Sequence, residues 1–189
     1  MSRFVGLALA ATLSIALAAP SMARAQEPKR GGILNVAVVA EPPNYDCHAN
    51  GTFGVSHPVF PHYSTLLKHT GDYKSMKVEG DLAKSWEIAK DGMTFTFKLY
   101  SGVKFHDGSD MTSADVVATY QRIINPTGGV VSTRRALYED VASVEAPDAE
   151  TVVFKLSKPN AGMFDALASP WNCIYSAAKL KQNPRYPET

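Results

Sequence analysis

Apolar and polar positions alternate most cleanly between Ser85 and Leu99. Trp86 and Ile88 fall on one face of the first stretch, Phe95, Phe97 and Leu99 on one face of the second. Between them lies Lys90-Asp91-Gly92, where glycine supplies the positive φ of a tight turn, so the pattern predicts a hairpin over 85–99. Ile33 to Val39 is apolar and β-branched without alternation, which predicts a strand buried on both faces within a mixed or parallel sheet. Pro42-Pro43 ends it, since two prolines cannot continue a ladder. Around Tyr63 to Leu67 the spacing predicts a short helix with Leu66 and Leu67 facing inward. Gly102 to Gly108 is rich in turn residues, with Val103 and Phe105 pointing in.

Thr112 followed by Asp115 reads as an N-cap with a variant capping box. Val116, Val117, Tyr120, Ile123 and Ile124 then recur at helical spacing until Asn125-Pro126 stops them. Tyr138 to Glu145 and Thr151 to Leu156 predict a second strand pair. Asn160 to Leu167 predicts a helix, and Cys173 to Tyr175 a short return strand. No internal repeat is present.

At the start of the chain the pattern changes. Arg3 precedes an apolar run from Phe4 to Ala19, Pro20 breaks it, and Ala23-Arg24-Ala25 follows. That order is a secretory signal with cleavage after Ala25. The run falls short of the roughly 20 apolar residues of a membrane span. Cleavage takes out Arg3 and Arg24 and no acidic residue, which moves the formal charge from +1 to −1. A near-neutral chain carries no electrostatic footprint for nucleic acid or anionic lipid. Two cysteines, Cys47 and Cys173, remain in an exported chain, where a disulfide can persist.

The candidate chemistry is sparse. His48, His57, His62 and His69 cluster in sequence, but Pro58 and Pro61 interrupt them and no helical i, i+4 pair is present, so the expectation is no metal and no cofactor. Cys47 adjoins His48, yet neighbours in sequence rarely point at each other, and no Gly-x-Ser-x-Gly elbow or phosphate-binding glycine loop appears. Asp107, Asp110 and Asp115 lack the interleaved ligands of a calcium loop. Tyr45, His48, Asn50, Trp171 and Asn172 lie in loops after strands or helices, where ligand contacts concentrate. On periodicity alone, Trp171 and Tyr45 fit better as core plugs than as ligand contacts.

The segment Gly80-Asp81-Leu82-Ala83-x-Ser85-Trp86, then Asp91-Gly92-x-Thr94-Phe95-x-Phe97-x-Leu99, Gly102-Val103-Lys104-Phe105-His106-Asp107-Gly108 and Thr112-x-x-Asp115-Val116, resembles the signature of bacterial extracellular solute-binding proteins of family 5, the peptide and nickel type. Gly31-Gly32-x-Leu34, Asn44-Tyr45-Asp46 and Thr151-Val152-x-Phe154-x-Leu156 agree with it. Tyr100 departs where the family usually carries Arg or Lys, and Cys47 where Pro is common.

The resemblance implies an α/β, type II periplasmic-binding-protein fold, present incompletely. Its expected parts are a signal peptide (1–25), the start of a first lobe (26–75), an accessory domain holding the signature (76–168) and a return into the first lobe (169–189). It implies a periplasmic, monomeric, non-enzymatic receptor that captures an oligopeptide-like solute for an inner-membrane ABC permease. Ligand contacts are then expected from Tyr45 to Gly51 and Ser169 to Cys173, with Tyr45, His48, Asn50, Trp171 and Asn172 as the contact residues. A disulfide between Cys47 and Cys173 is expected from the same placement. Relatives run far beyond Thr189, so the chain is expected to be an N-terminal fragment that binds solutes more weakly than a full-length relative. Two other readings stay open: an exported hydrolase using Cys47 or a histidine-bound metal, and a fragment that binds nothing.

Overall fold

A computed structural model describes residues 30–72, 74–75 and 77–187. The expected signal peptide lies outside the described residues. The chain divides into two units, Met1–Val36 and Ala37–Thr189. In the first, residues 30–36 carry no regular structure, and Ile33 and Leu34 are 91% and 86% exposed.

The second unit is built on a four-stranded antiparallel sheet. Strands β1 (Leu67–His69) and β2 (Val78–Gly80) form a separate antiparallel pair. The main sheet takes β3 (Ala83–Ile88), β4 (Thr94–Leu99), β5 (Val141–Asp148) and β6 (Thr151–Leu156) in the order β3-β4-β6-β5. Gly92 turns the β3–β4 hairpin at φ +68°, a left-handed conformation that costs glycine least. Phe95, Phe97 and Leu99 of β4 and Val152, Phe154 and Leu156 of β6 all point into one core. Its described residues also form four α-helices: α1 (Phe53–Val59), α2 (Ser113–Ile124), α3 (Met163–Leu167) and α4 (Ala177–Gln182).

Helix α2 covers the sheet. Val116, Tyr120 and Ile123 are buried, and the Tyr120 ring meets Phe154 edge-on at 4.8 Å. The Asp115 carboxylate accepts the Thr112 backbone N–H at 2.7 Å, which satisfies a donor that the helix leaves open.

Four expectations are corrected. Ile33 to Val39 forms no strand, because among the described residues nothing offers it a ladder, and β-propensity depends on such partners. The helix around Tyr63 to Leu67 is displaced to α1, followed by a 3₁₀ turn at Phe60–His62. Leu66 and Leu67 do face inward, but on extended backbone: the Thr65 and Leu66 carbonyls accept hydrogen bonds from the backbone N–H groups of Leu82 and Ala83. Trp86 and Ile88 share a face with Phe97 and Phe95 but stay 36% and 43% exposed, since β3 is an edge strand. Trp86 rests against Phe164 at 5.4 Å instead. Cys173 to Tyr175 is extended without a ladder: Ile174 N–H donates to the Ser64 carbonyl, and Tyr175 N–H to the Thr119 hydroxyl.

Candidate functional site

The loop after Pro43 folds on its own side chains first. Asn44 Oδ1 accepts the Asp46 N–H at 3.0 Å, and Asp46 Oδ1 accepts the His48 N–H at 2.9 Å, the short-range pattern that Asn and Asp favour in turns. These bonds drive Asp46, Cys47 and His48 into the interior, each at most 1% exposed.

A buried carboxylate needs a counter-charge. Arg122 of α2 supplies it with two parallel bonds, Nη2 to Asp46 Oδ2 at 2.7 Å and Nη1 to Oδ1 at 3.1 Å. Arg122 Nη1 also lies 2.7 Å from His48 Nδ1. A guanidinium only donates, so Nδ1 is the acceptor and the imidazole proton sits on Nε2, which donates to the Cys173 carbonyl at 3.0 Å. Burial lowers the His48 pKa to about 4, with the Asp46 charge pulling it upward and Arg122 and Arg134 downward. The imidazole is neutral at neutral pH and both its nitrogens are engaged. Tyr175 closes the knot: its hydroxyl accepts the Cys47 N–H at 2.8 Å and donates to Asp46 Oδ1 at 3.3 Å, and burial drives its pKa well above the ordinary value.

Cys47 and Cys173 are bonded, their Cα atoms 6.1 Å apart across 126 residues of sequence. The hydrolase reading through Cys47 therefore lacks its nucleophile. Among the described residues no three His, Cys, Asp or Glu side chains gather where they could hold a metal ion. His48 is inside, while His57 is exposed and stacks on Phe53 at 5.3 Å.

The two expected ligand loops do come together, through the disulfide and the His48–Cys173 bond. Their side chains divide into two groups. Tyr45 is 53% exposed and Asn50 half-buried, its amide donating to Asn44 Oδ1 at 2.7 Å and to the Asp46 carbonyl at 2.8 Å. Trp171 is half-buried, edge-on to Phe60 at 4.7 Å, with the Arg134 guanidinium over its ring at 4.2 Å. His48 and Asn172 instead point inward. The Asn172 amide donates to Tyr138 Oη and to the Ala166 carbonyl, both at 2.8 Å, and holds the end of α3. A cavity of about 430 Å³ opens elsewhere, between residues 62–64, 103–107 and 174–179, and none of the five expected contact residues lines it.

Arg122, Arg134 and Tyr175 bond to the 46–50 loop, and the hydrophobic pattern did not disclose them. One signal for Arg122 was available. Asp115, Thr119 and Arg122 stand at i, i+4 and i+7 on α2, a polar stripe beside the apolar one. Each bonds the 175–184 segment: Asp115 to Ala177 N–H, Thr119 to Tyr175, and Arg122 Nε to the Pro184 carbonyl.

Residues 77–188 match the family described as bacterial extracellular solute-binding proteins, family 5, middle region. A Brucella ovis protein provisionally named as an ABC transporter peptide-binding protein is 46% identical over 97 residues, which cover 51% of this chain and 18% of that one. The glutathione-binding protein GsiB of Escherichia coli K12 is 37% identical over 109 residues, 58% of this chain and 21% of its own length. The periplasmic binding protein AgaA of Agrobacterium tumefaciens R10, solved with agropinic acid, superposes with a TM-score of 0.62 at 36% identity, over 69% of this chain and 25% of that one. The chain thus spans about a fifth of the length of the curated relatives it matches. The architecture is the mixed α/β fold of type II periplasmic binding proteins, present in part. With a family match over more than half its residues, this chain belongs to the bacterial extracellular solute-binding proteins of family 5.

Proposed function

We propose that this protein takes part in solute capture for an ABC importer, receiving a peptide-like solute in the periplasm and presenting it to an inner-membrane permease. The observation that carries the reading is the family match over residues 77–188, the stretch whose helix α2 anchors both loops through Asp46, Thr119 and Arg122. In this reading Tyr45, Asn50 and Trp171 meet the solute, and His48 and Asn172 hold those loops from behind. Residues 26–75 and 169–189 belong to the ligand-facing lobe and 76–168 to the accessory domain. Residues 1–25 direct export, and mass spectrometry of exported protein should find Gln26 at the N-terminus.

The direct test is a chimera in which residues 77–187 replace the matching segment of GsiB. A chimera that melts cooperatively and binds glutathione or a tripeptide by calorimetry supports the reading. One that melts cooperatively and binds no member of a peptide panel overturns it.

A further inference from the structure

Asn50 precedes a glycine, and no other asparagine of the chain does. Within the 44–51 loop its backbone and its side chain are held in opposite ways. The Asn50 carbonyl accepts Arg134 Nη1 at 2.7 Å and the Thr133 hydroxyl at 3.4 Å. A cation on that carbonyl draws electron density from the peptide bond and makes the next N–H, that of Gly51, more acidic. Gly51 is exposed, and its N–H donates to no acceptor among the described residues. Beyond its chain neighbours, a Cβ on Gly51 would meet only Arg134 Nη2, at 3.9 Å, so the space around the nitrogen is open.

The Asn50 side chain is clamped instead. Its Nδ2 donates to Asn44 Oδ1 at 2.7 Å and to the Asp46 carbonyl at 2.8 Å, and Asp46 is itself fixed by Arg122. We propose that Asn50 is a site of self-modification, at which the Gly51 nitrogen attacks the Asn50 side-chain amide whenever the Nδ2 clamp opens. A bond forms between Gly51 N and Asn50 Cγ, the Gly51 proton passes to water or hydroxide, and the Cγ–Nδ2 bond breaks as ammonia leaves. Water then opens the cyclic imide at either carbonyl, giving aspartate or isoaspartate. The balance is one water taken up and one ammonia released, with no change of oxidation state.

The product cannot close the clamp again. A carboxylate only accepts, so Asn44 Oδ1 and the Asp46 carbonyl lose their donor and face a negative charge. Isoaspartate also adds a methylene to the backbone three residues after the disulfide at Cys47. The loop thus carries a one-way change, slow while the amide is clamped and irreversible once made. It alters a loop that the solute-capture reading places against the solute, and it stands independently of that reading.

The experiment ages the full chain, disulfide intact, at mildly alkaline pH. The digest is mapped by tandem mass spectrometry, and isoaspartyl methyltransferase labelling counts the isomer. Asn50 should convert ahead of every other asparagine, including Asn35 in its exposed segment. Gly51→Ala fits the open space and should slow conversion at least about tenfold, the effect of about 1.4 kcal/mol of crowding as the imide closes. Asn44→Ala removes one acceptor of the clamp and should speed conversion. The parent unfolded in urea should convert faster than the folded parent, a comparison that needs no variant. Asn50→Asp supplies one product directly and should lower the urea midpoint.

Conversion of Asn50 no faster than that of Asn35, or a parental rate in folded Gly51→Ala, overturns the modification site. Equal rates in the folded and the urea-unfolded parent, or an unchanged rate in folded Asn44→Ala, overturn the clamp. A parental urea midpoint in Asn50→Asp overturns the consequence for the loop.

Discussion

Acid should loosen this fold through His48. The imidazole is buried between Asp46, Arg122, Arg134 and Tyr175, and burial is the largest cause of its lowered pKa, about 4 against 6.5 when unfolded. Between those values the unfolded chain binds a proton that the folded chain refuses, so stability is complete above pH 6.5 and falls as the pH drops towards 4. At pH 4.5 the unfolded histidine is almost fully protonated and the folded one about a quarter, a difference of about 2.5 kcal/mol. The assay is urea unfolding at pH 7.5 and 4.5 with the disulfide intact, on the parent and on His48→Gln, with the m-value checked for constancy. Asp107, Glu145 and Asp148 also favour the folded state above their titration. Ser109, Lys155 and Thr151 respectively are the main partners that hold their pKa values low. They act at lower pH and equally in both proteins, so they cancel in the comparison. The parent should lose about 2.5 kcal/mol more than the variant between the two pH values. Parallel losses would show that His48 is not held neutral in the native state and that the proton placement on Nε2 is wrong.

Three further outcomes follow from the same geometry. Arg122→Leu leaves the Asp46 carboxylate, 0% exposed, without its counter-charge and should cost about 3–5 kcal/mol in urea unfolding; a loss under about 1 kcal/mol would mean that water reaches Asp46. Replacing both cysteines by serine releases a constraint across 126 residues and should cost roughly 5 kcal/mol in the chain-entropy account, whereas two titratable thiols in the unreduced, denatured parent would refute the bond. Phe97→Ala, at 0% exposure in the middle of the core, should cost about 3–5 kcal/mol, and Lys98→Ala on the open face of β4 under about 0.5 kcal/mol. Equal losses from the last pair would mean that the alternation of β4 has been assigned to the wrong faces.

What was legible in the sequence is what local forces decide. The β3–β4 hairpin follows from alternation and an Asp-Gly turn within fifteen residues, and α2 from its cap, its apolar stripe and Asn125-Pro126. The ordered glycines and aromatics of the signature name the family for the same reason: they are closely spaced scaffold residues whose roles are set nearby. The misreadings all involve distant partners. Ile33 to Val39 has the composition of a central strand, but strand formation needs neighbours that composition cannot supply. Leu66 and Leu67 were correctly placed inside yet given the wrong backbone, because bonds to Leu82 and Ala83 hold it extended. Trp86 faces the core side of the sheet but is left half-covered by its position at the edge, and strand order is a property of the whole sheet.

The candidate site divides along the same line. Sequence pointed to both loops and, through the resemblance, to their proximity, since loops with Asn, His, Trp and Cys are where ligand chemistry gathers. It could not say which side chains turn outward. The tertiary structure decided that His48 and Asn172 serve the interior, because Arg122, 74 residues from His48, engages the imidazole and Tyr138, 34 residues from Asn172, accepts from its amide nitrogen. It also placed the guanidinium of Arg134, which no pattern had marked, over the Trp171 ring. A charge acquires its role from the dielectric and the partners around it, and those are assembled only when segments far apart in the chain close on one another.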